Sequence, residues 1–168
     1  RAILFDGAMG TMIYEKGIYI NQNFDNLNLA QPRMIEEIHA EYVKAGCDVL
    51  ETNTFGANRI ALAKHALAEK VREINIAGVR IARTAGPGLL VAGSMGPLST
   101  NVEPLGAVRR DEAVEAYREQ ASALIEGRAD LLILETFDQM EMLEAALEAV
   151  LSDKKVPVIV QLAFNEEG

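Results

Sequence analysis

Three acidic residues, Asp6, Glu51 and Glu135, each close a short apolar run and open a segment rich in glycine, hydroxyl and amide side chains. The segments read Asp6-Gly7-Ala8-Met9-Gly10-Thr11, Glu51-Thr52-Asn53-Thr54-Phe55-Gly56 and Glu135-Thr136-Phe137, and Ser94-Met95-Gly96-Pro97 is a fourth of similar make-up without an acid. Carboxylates gathered at one place suit an ammonium-bearing substrate, a hard metal ion or general acid and base work. The plainer role for an acid at a strand end is to cap the turn or helix that follows. Asp6 and Glu135 terminate fully apolar runs in equivalent places, which favours a ligand-facing role for that pair, whereas for Glu51 the two roles balance. Glycines such as Gly7 and Gly96 would let backbone approach a ligand carboxylate, while Gly10 and Gly56 are read as turn formers.

Other reactive residue types are sparse. His39 and His65 fall in or beside helical patterns, away from the acidic segments, and are read as ordinary helix histidines. Cys47, the single cysteine, precedes the second apolar run and is read as a buried structural thiol. No Walker loop is present, and no GxGxxG follows a strand pattern. The acidic helix faces at Glu115, Glu119, Glu144 and Glu148 read as solvated surface.

Five near-continuous aliphatic runs must position these residues: Ala2 to Phe5, Asp48 to Thr52, Leu89 to Gly93, Asp130 to Glu135 and Val156 to Leu162. Continuous rather than alternating hydrophobicity predicts strands buried on both faces, as in a parallel sheet. Helical spacing separates them, at Ile35, Ile38 and Tyr42; Val71, Ile74, Gly78 and Ile81; Val114, Tyr117, Ala121 and Leu124; and Leu143, Ala146, Leu147, Val150 and Leu151. Pro32 suits a first helical position, Gly46 and Gly127 suit helix C-termini, and Asp138 with Glu141 resembles a capping box. The stretch from Gly17 to Gln31, with Asn21, Asn23, Asn26 and Asn28, reads as a long functional loop. Four and a half βα units fill the chain. Eight at this rate would need about 300 residues, so the pattern fits about half of a (β/α)₈ barrel or a complete open five-stranded sheet. Both architectures bind ligands at the carboxyl ends of the strands, where the three acids would meet.

The 168 residues suit one domain, with 49% hydrophobic and 24% charged residues. A formal charge of −9, with no basic cluster longer than Arg109-Arg110, argues against nucleic acid. No apolar run approaches the roughly 20 residues of a membrane span, and the opening lacks a secretory pattern. One cysteine predicts a reducing, cytoplasmic setting. The start at Arg1 and the last apolar run, which leads into Gln161 to Gly168 without a closing helix, are the pattern expected of a piece of a longer protein.

Phe5 to Thr11 together with Glu51 to Ala57 resembles the homocysteine S-methyltransferase family, including the homocysteine module of cobalamin-dependent methionine synthases. Leu27-Asn28-Leu29, Ile38-His39, Tyr42, Ala45-Gly46, Gly93 to Pro97 and Leu134 to Phe137 carry the resemblance along the chain. Ala57-Asn58-Arg59 and the helix from Glu69 to Arg83 are also similar to members fused to a methylenetetrahydrofolate reductase. The resemblance implies a (β/α)₈ TIM barrel, of which residues 1–168 are the amino-terminal part. It implies zinc bound by three cysteines in later strands, which this chain lacks and Cys47 does not match. A methyl donor would be methylcobalamin, betaine or a methylsulfonium, and cobalamin- and folate-binding domains of the same protein would be partners. By resemblance, Asp6 and Glu135 would hold the homocysteine ammonium, Gly7 and Ala8 would meet its carboxylate, and Asn53 and Thr54 would shape the pocket. Two rival functions stand beside it: a barrel enzyme using Asp6, Glu51 and Glu135 for metal-assisted or acid-base chemistry, and a non-catalytic half-barrel binding subunit. An isolated half-barrel would be inactive and would expose an edge and its interior, so self-association, a large apolar surface or further barrel residues are expected.

Overall fold

The computed structural model describes residues 2–19, 22–152 and 156–164. Among the described residues seven α-helices, a 3₁₀ turn at Ala68–Lys70 and four strands follow one another: α1 (Met9–Glu15), α2 (Leu27–Ala30), α3 (Pro32–Ala45), β1 (Val49–Glu51), α4 (Arg59–Ala63), α5 (Val71–Ala85), β2 (Leu90–Met95), α6 (Arg110–Glu126), β3 (Leu131–Phe137), α7 (Met140–Leu151) and β4 (Val158–Leu162). The strands pair in parallel and in chain order, β1-β2-β3-β4.

Strand alternation sorts the side chains into two faces. Leu50, Val91, Leu132 and Leu134 pack against α5, α6 and α7 in the main core, with Tyr117 and Phe137 its largest fully buried side chains. Val49, Ala92, Leu131 and Ile133 form a separate apolar layer on the opposite face, joined by Phe5 and Ile159 and by no helix residue. Helices on one face only, with strands in sequential order, match an arc of a barrel and not the doubly wound sheet, whose order reverses at a switch point.

The first predicted strand requires correction. Ala2 to Phe5 runs beside β1, with Val49 N–H bonded to Leu4 O and Asp6 N–H to Val49 O, but pairs through the single bridge Phe5–Val49. Its outer edge has no neighbouring strand among the described residues, and Ile3 and Leu4 are more than half exposed. Val160, Leu162 and Phe164 at the other edge are exposed as well. These are the open edges and apolar surface anticipated for an arc.

The predicted loop from Gly17 to Gln31 contains a helical turn, α2, and is preceded by α1. Residues 20 and 21, including Asn21, lie outside the described part. Asn23 starts the turn by accepting the Asn26 amide at 2.8 Å, and Leu27 and Asn28 bury behind it. The capping box at Asp138 is absent: Gln139 holds the N-cap position of α7 without a side-chain cap, and its amide donates to Asn101 Oδ1. Gly127 ends α6 as expected, yet Arg128 takes the left-handed conformation. Gly127 is needed for packing instead, since a Cβ there would press on Val79 and Ile76.

Pro32 and Gly46 bound α3 as anticipated, Gly46 with φ of 95° and its amide on Val43 O. A Cβ on Gly46 would meet nothing within 4 Å, so Gly46→Ala should cost only the left-handed penalty, about 1 kcal/mol. Urea denaturation would measure this, and an unchanged midpoint would mean that α3 can end without a left-handed residue.

Candidate functional site

One residue pair further along each strand from the apolar layer, the same face turns polar. Val49 leads to Glu51, Ala92 to Ser94, Ile133 to Glu135 and Ile159 to Gln161. All four polar residues line a cavity of about 650 Å³ at the carboxyl ends of the strands. Asp6 to Gly10, the loop from Gln22 to Asp25, and Thr52, Asn53, Phe55 and Gly56 form its walls.

Glu135 is followed by a distortion. The β3–β4 register shifts between Leu134 and Phe137, and Thr136 sits at φ of 63°, a rare conformation for a β-branched residue. The bulge allows Phe137 to return to the helix-side core while Glu135 remains on the cavity side. Ser94 donates its hydroxyl to Glu135 Oε1 at 2.6 Å and fixes that carboxylate.

The three acids do converge, and the ionisation of Asp6 and Glu51 is shifted. Burial raises Glu51 to about 8, helped by the charges of Glu135 and Asp6 and by a hydrogen bond to Glu135. Asp6 rises to about 7, mainly through burial; the Glu51 amide, which donates to Asp6 Oδ1 at 3.0 Å, opposes the rise, and the Glu135 charge adds to it. A cluster of this kind retains protons at neutral pH until a cation replaces them.

Of the other expected residues, Gly7 and Ala8 line the cavity. A Cβ on Gly7 would crowd the ring of Tyr42 at 3.0 Å, and the Tyr42 hydroxyl donates to Ala8 O. Asn53 lines the cavity, but its amide is committed to Phe24 O at 2.7 Å and Asn28 Oδ1 at 3.2 Å. Thr54 is fully buried behind the wall: its hydroxyl donates to Ser94 O, leaving Thr52 to donate to Thr54, while Thr52 Oγ1 accepts the Ser94 amide. Gly10 belongs to α1 and not to a turn, whereas Gly56 does lie in one. Gly96 gives room to the Phe55 ring, which a Cβ would overlap.

The histidines sit in and beside helices as read, His39 on α3 and exposed His65 just after α4, but not away from the acidic segments: His65 lines the cavity, and His39 is fully buried with Nδ1 3.9 Å from Asp6 Oδ2. Cys47 is buried in the helix-side core as expected, its thiol pushed up first by burial. Asp25 was not foreseen. It is buried, accepts the Gly56 amide at 3.0 Å and, through burial, rises to about 6, ordering the loop above the cavity. Asn28 joins that loop to the walls by donating to Asn53 O and Ile74 O. The asparagine-rich stretch was the available signal; partners 25 and 46 residues away were not legible.

Metal chemistry fits this chain poorly. No three His, Cys, Asp or Glu side chains among the described residues form a metal-binding group, and Cys47 is enclosed in the core.

A polar layer at the carboxyl ends of an arc of parallel strands is where TIM-barrel-like folds place their ligands. The homocysteine S-methyltransferase family profile matches residues 3–168, and the chain belongs to that family. It is 31% identical to methionine synthase of Mycobacterium leprae over 186 aligned positions, covering all of this chain and 15% of that protein. The metallated form of the homocysteine methyltransferase MmuM from Escherichia coli superimposes with a TM-score of 0.81 at 25% identity, over 94% of this chain and 62% of that one. Its oxidised form gives 0.80 at 26% identity, over 93% and 60%. The chain thus spans less than two thirds of these relatives.

The raised acids carry a sign for stability. Asp25, Asp6 and Glu51 hold protons in the folded state up to about 6, 7 and 8, whereas unfolded they release them near 3.8 to 4.5. Their contribution therefore falls as pH rises through that window. His39, lowered to about 4 by burial, acts oppositely between about 4 and 6.5. Above 6.5 only the acids remain, so stability in chemical denaturation should fall from pH 6.5 to 8, and Glu51→Gln should flatten the upper part of that fall. A profile that stays steep in the variant would place the titration elsewhere.

Proposed function

We propose that this chain forms the amino-acid-binding part of a site that transfers a methyl group to the thiol of homocysteine, giving methionine. The observation that carries this reading is the convergence of Asp6, Glu51 and Glu135 in one cavity with a raised proton affinity at Asp6 and Glu51. An ammonium is the cation that such a cluster suits, since it brings its own hydrogen-bond donors and displaces the retained protons. Glu135, oriented by Ser94, and Asp6 hold the ammonium; the Gly7–Ala8 backbone meets the carboxylate; Asn53 and Thr54 shape the pocket by anchoring its wall. The absence of a three-ligand group among the described residues disfavours the alternative of a hard-metal enzyme.

In the transfer, the thiol loses its proton, sulfur donates an electron pair to the methyl carbon, and the carrier leaves with the old bonding pair. Zinc, implied by the family, would lower a bound thiol's pKa, but the described residues of this chain form no group to hold it. This chain's contribution is positioning, which sets how often sulfur meets the methyl carbon in line. The methionine synthase relative supports methylcobalamin as donor, and that relative's greater length supports cobalamin- and folate-binding domains as partners in the same protein. A cytoplasmic setting accords with this reading; no helix among the described residues is long and apolar enough to cross a membrane.

Glu135→Gln in the full-length protein should weaken homocysteine binding about tenfold, or about 1.4 kcal/mol, by calorimetry. Unchanged affinity would remove Glu135 from the ammonium contact.

A further inference from the structure

His39 is the least satisfied polar group near the site. It lies on α3, behind the cavity wall, with no exposed surface, and neither ring nitrogen has a hydrogen-bond partner among the described residues. Buried polar groups are nearly always paired, so an orphaned imidazole asks for a second state in which it is not orphaned. Its Nδ1 is 3.9 Å from Asp6 Oδ2, too far for a hydrogen bond and about 1 Å from becoming one. The other Asp6 oxygen is occupied by the Glu51 amide. The Asp6 side chain is only 1% exposed, so solvent is a poor source of a replacement donor.

We propose that His39 is a positioning residue for Asp6: as a neutral imidazole protonated on Nδ1, it donates to Asp6 Oδ2 when that carboxylate becomes ionised against the substrate ammonium. The inference rests on the amino-acid-binding reading above. While Asp6 holds its proton it offers a weaker acceptor, and the gap stays open. Once the ammonium arrives and Asp6 carries a full negative charge, a charge-assisted bond from Nδ1–H to Oδ2 becomes open, the first hydrogen bond available to His39. Asp6 would then be held at both oxygens, by the Glu51 amide and by His39, with its remaining lone pairs directed to the ligand. Neutral His39 suits this role because a charged imidazolium would compete with the ammonium for Asp6. The buried setting, which holds the imidazole neutral down to about 4, preserves that state.

The test uses two ligands in the full-length protein, homocysteine and 4-mercaptobutanoate, which lacks only the amino group. Calorimetry on the parent protein and on His39→Leu, His39→Asn and His39→Gln separates the possibilities. An Asn amide nitrogen takes the place of Nδ1, whereas a Gln amide nitrogen takes that of Nε2. The expected result is homocysteine binding weakened about tenfold in His39→Leu and His39→Gln, restored to within about threefold in His39→Asn, and binding of 4-mercaptobutanoate altered by less than twofold throughout. If His39→Leu does not fold, the Asn and Gln pair makes the same comparison. Equal losses for both ligands, or Asn no better than Gln, would assign His39 to packing and overturn the proposal. A parent protein that binds homocysteine no better than 4-mercaptobutanoate would overturn the ammonium-binding reading itself, and the role of His39 with it.

Discussion

The strict alternation of a β-strand is the constraint on which the rest of this structure depends. Because successive side chains point to opposite faces, an apolar residue on the helix-free face commits the residue two places later to that face as well. Val49, Ala92, Ile133 and Ile159 close the base of the arc with hydrocarbon, and Glu51, Ser94, Glu135 and Gln161 inherit the space above it. A slip of one residue in β1 or β3 would bury an acid among the helices and turn a core aliphatic into the cavity. The dense helix-side packing around Tyr117, Leu132 and Phe137 makes that slip costly, so the core specifies the site's geometry without touching it.

What alternation cannot do alone is keep like charges together. The site manages this by graded neutralisation. Glu51 is the most strongly raised of the group and retains its proton at neutrality, while Asp6 lies near the midpoint. Glu135 has the Ser94 hydroxyl and the hydrogen bond with Glu51. The protons on Glu51 and Asp6 are held first by burial and then by the neighbouring carboxylate charges.

Much of this frame was legible in the residues. Aliphatic runs without alternation marked parallel strands, Pro32 and Gly46 marked the ends of α3, and the acids at strand ends marked the ligand pole. The failures have a common cause. Asp25, Asn28 and His39 owe their roles to partners far along the chain, which no local pattern carries. Glu135 was placed correctly, yet the bulge at Thr136 that lets the chain return to the core has no glycine to announce it. Ala2 to Phe5 had strand composition but a neighbour on one side only, so composition overstated its pairing.

The link from Asn28 to Asn53, Phe24 and Ile74 has a consequence for how the cavity responds to its surroundings. Each of these bonds joins an uncharged amide to a carbonyl, so added salt has no ion pair to screen there. The cavity's contents change charge with pH and with ligand, whereas this part of its wall has no ionisable atom through which to feel the change. The loop thus has two kinds of anchor: fixed dipoles through Asn28 and Asn53, which keep their strength whatever the pocket's charge, and the titratable Asp25 on the Gly56 amide, which does not.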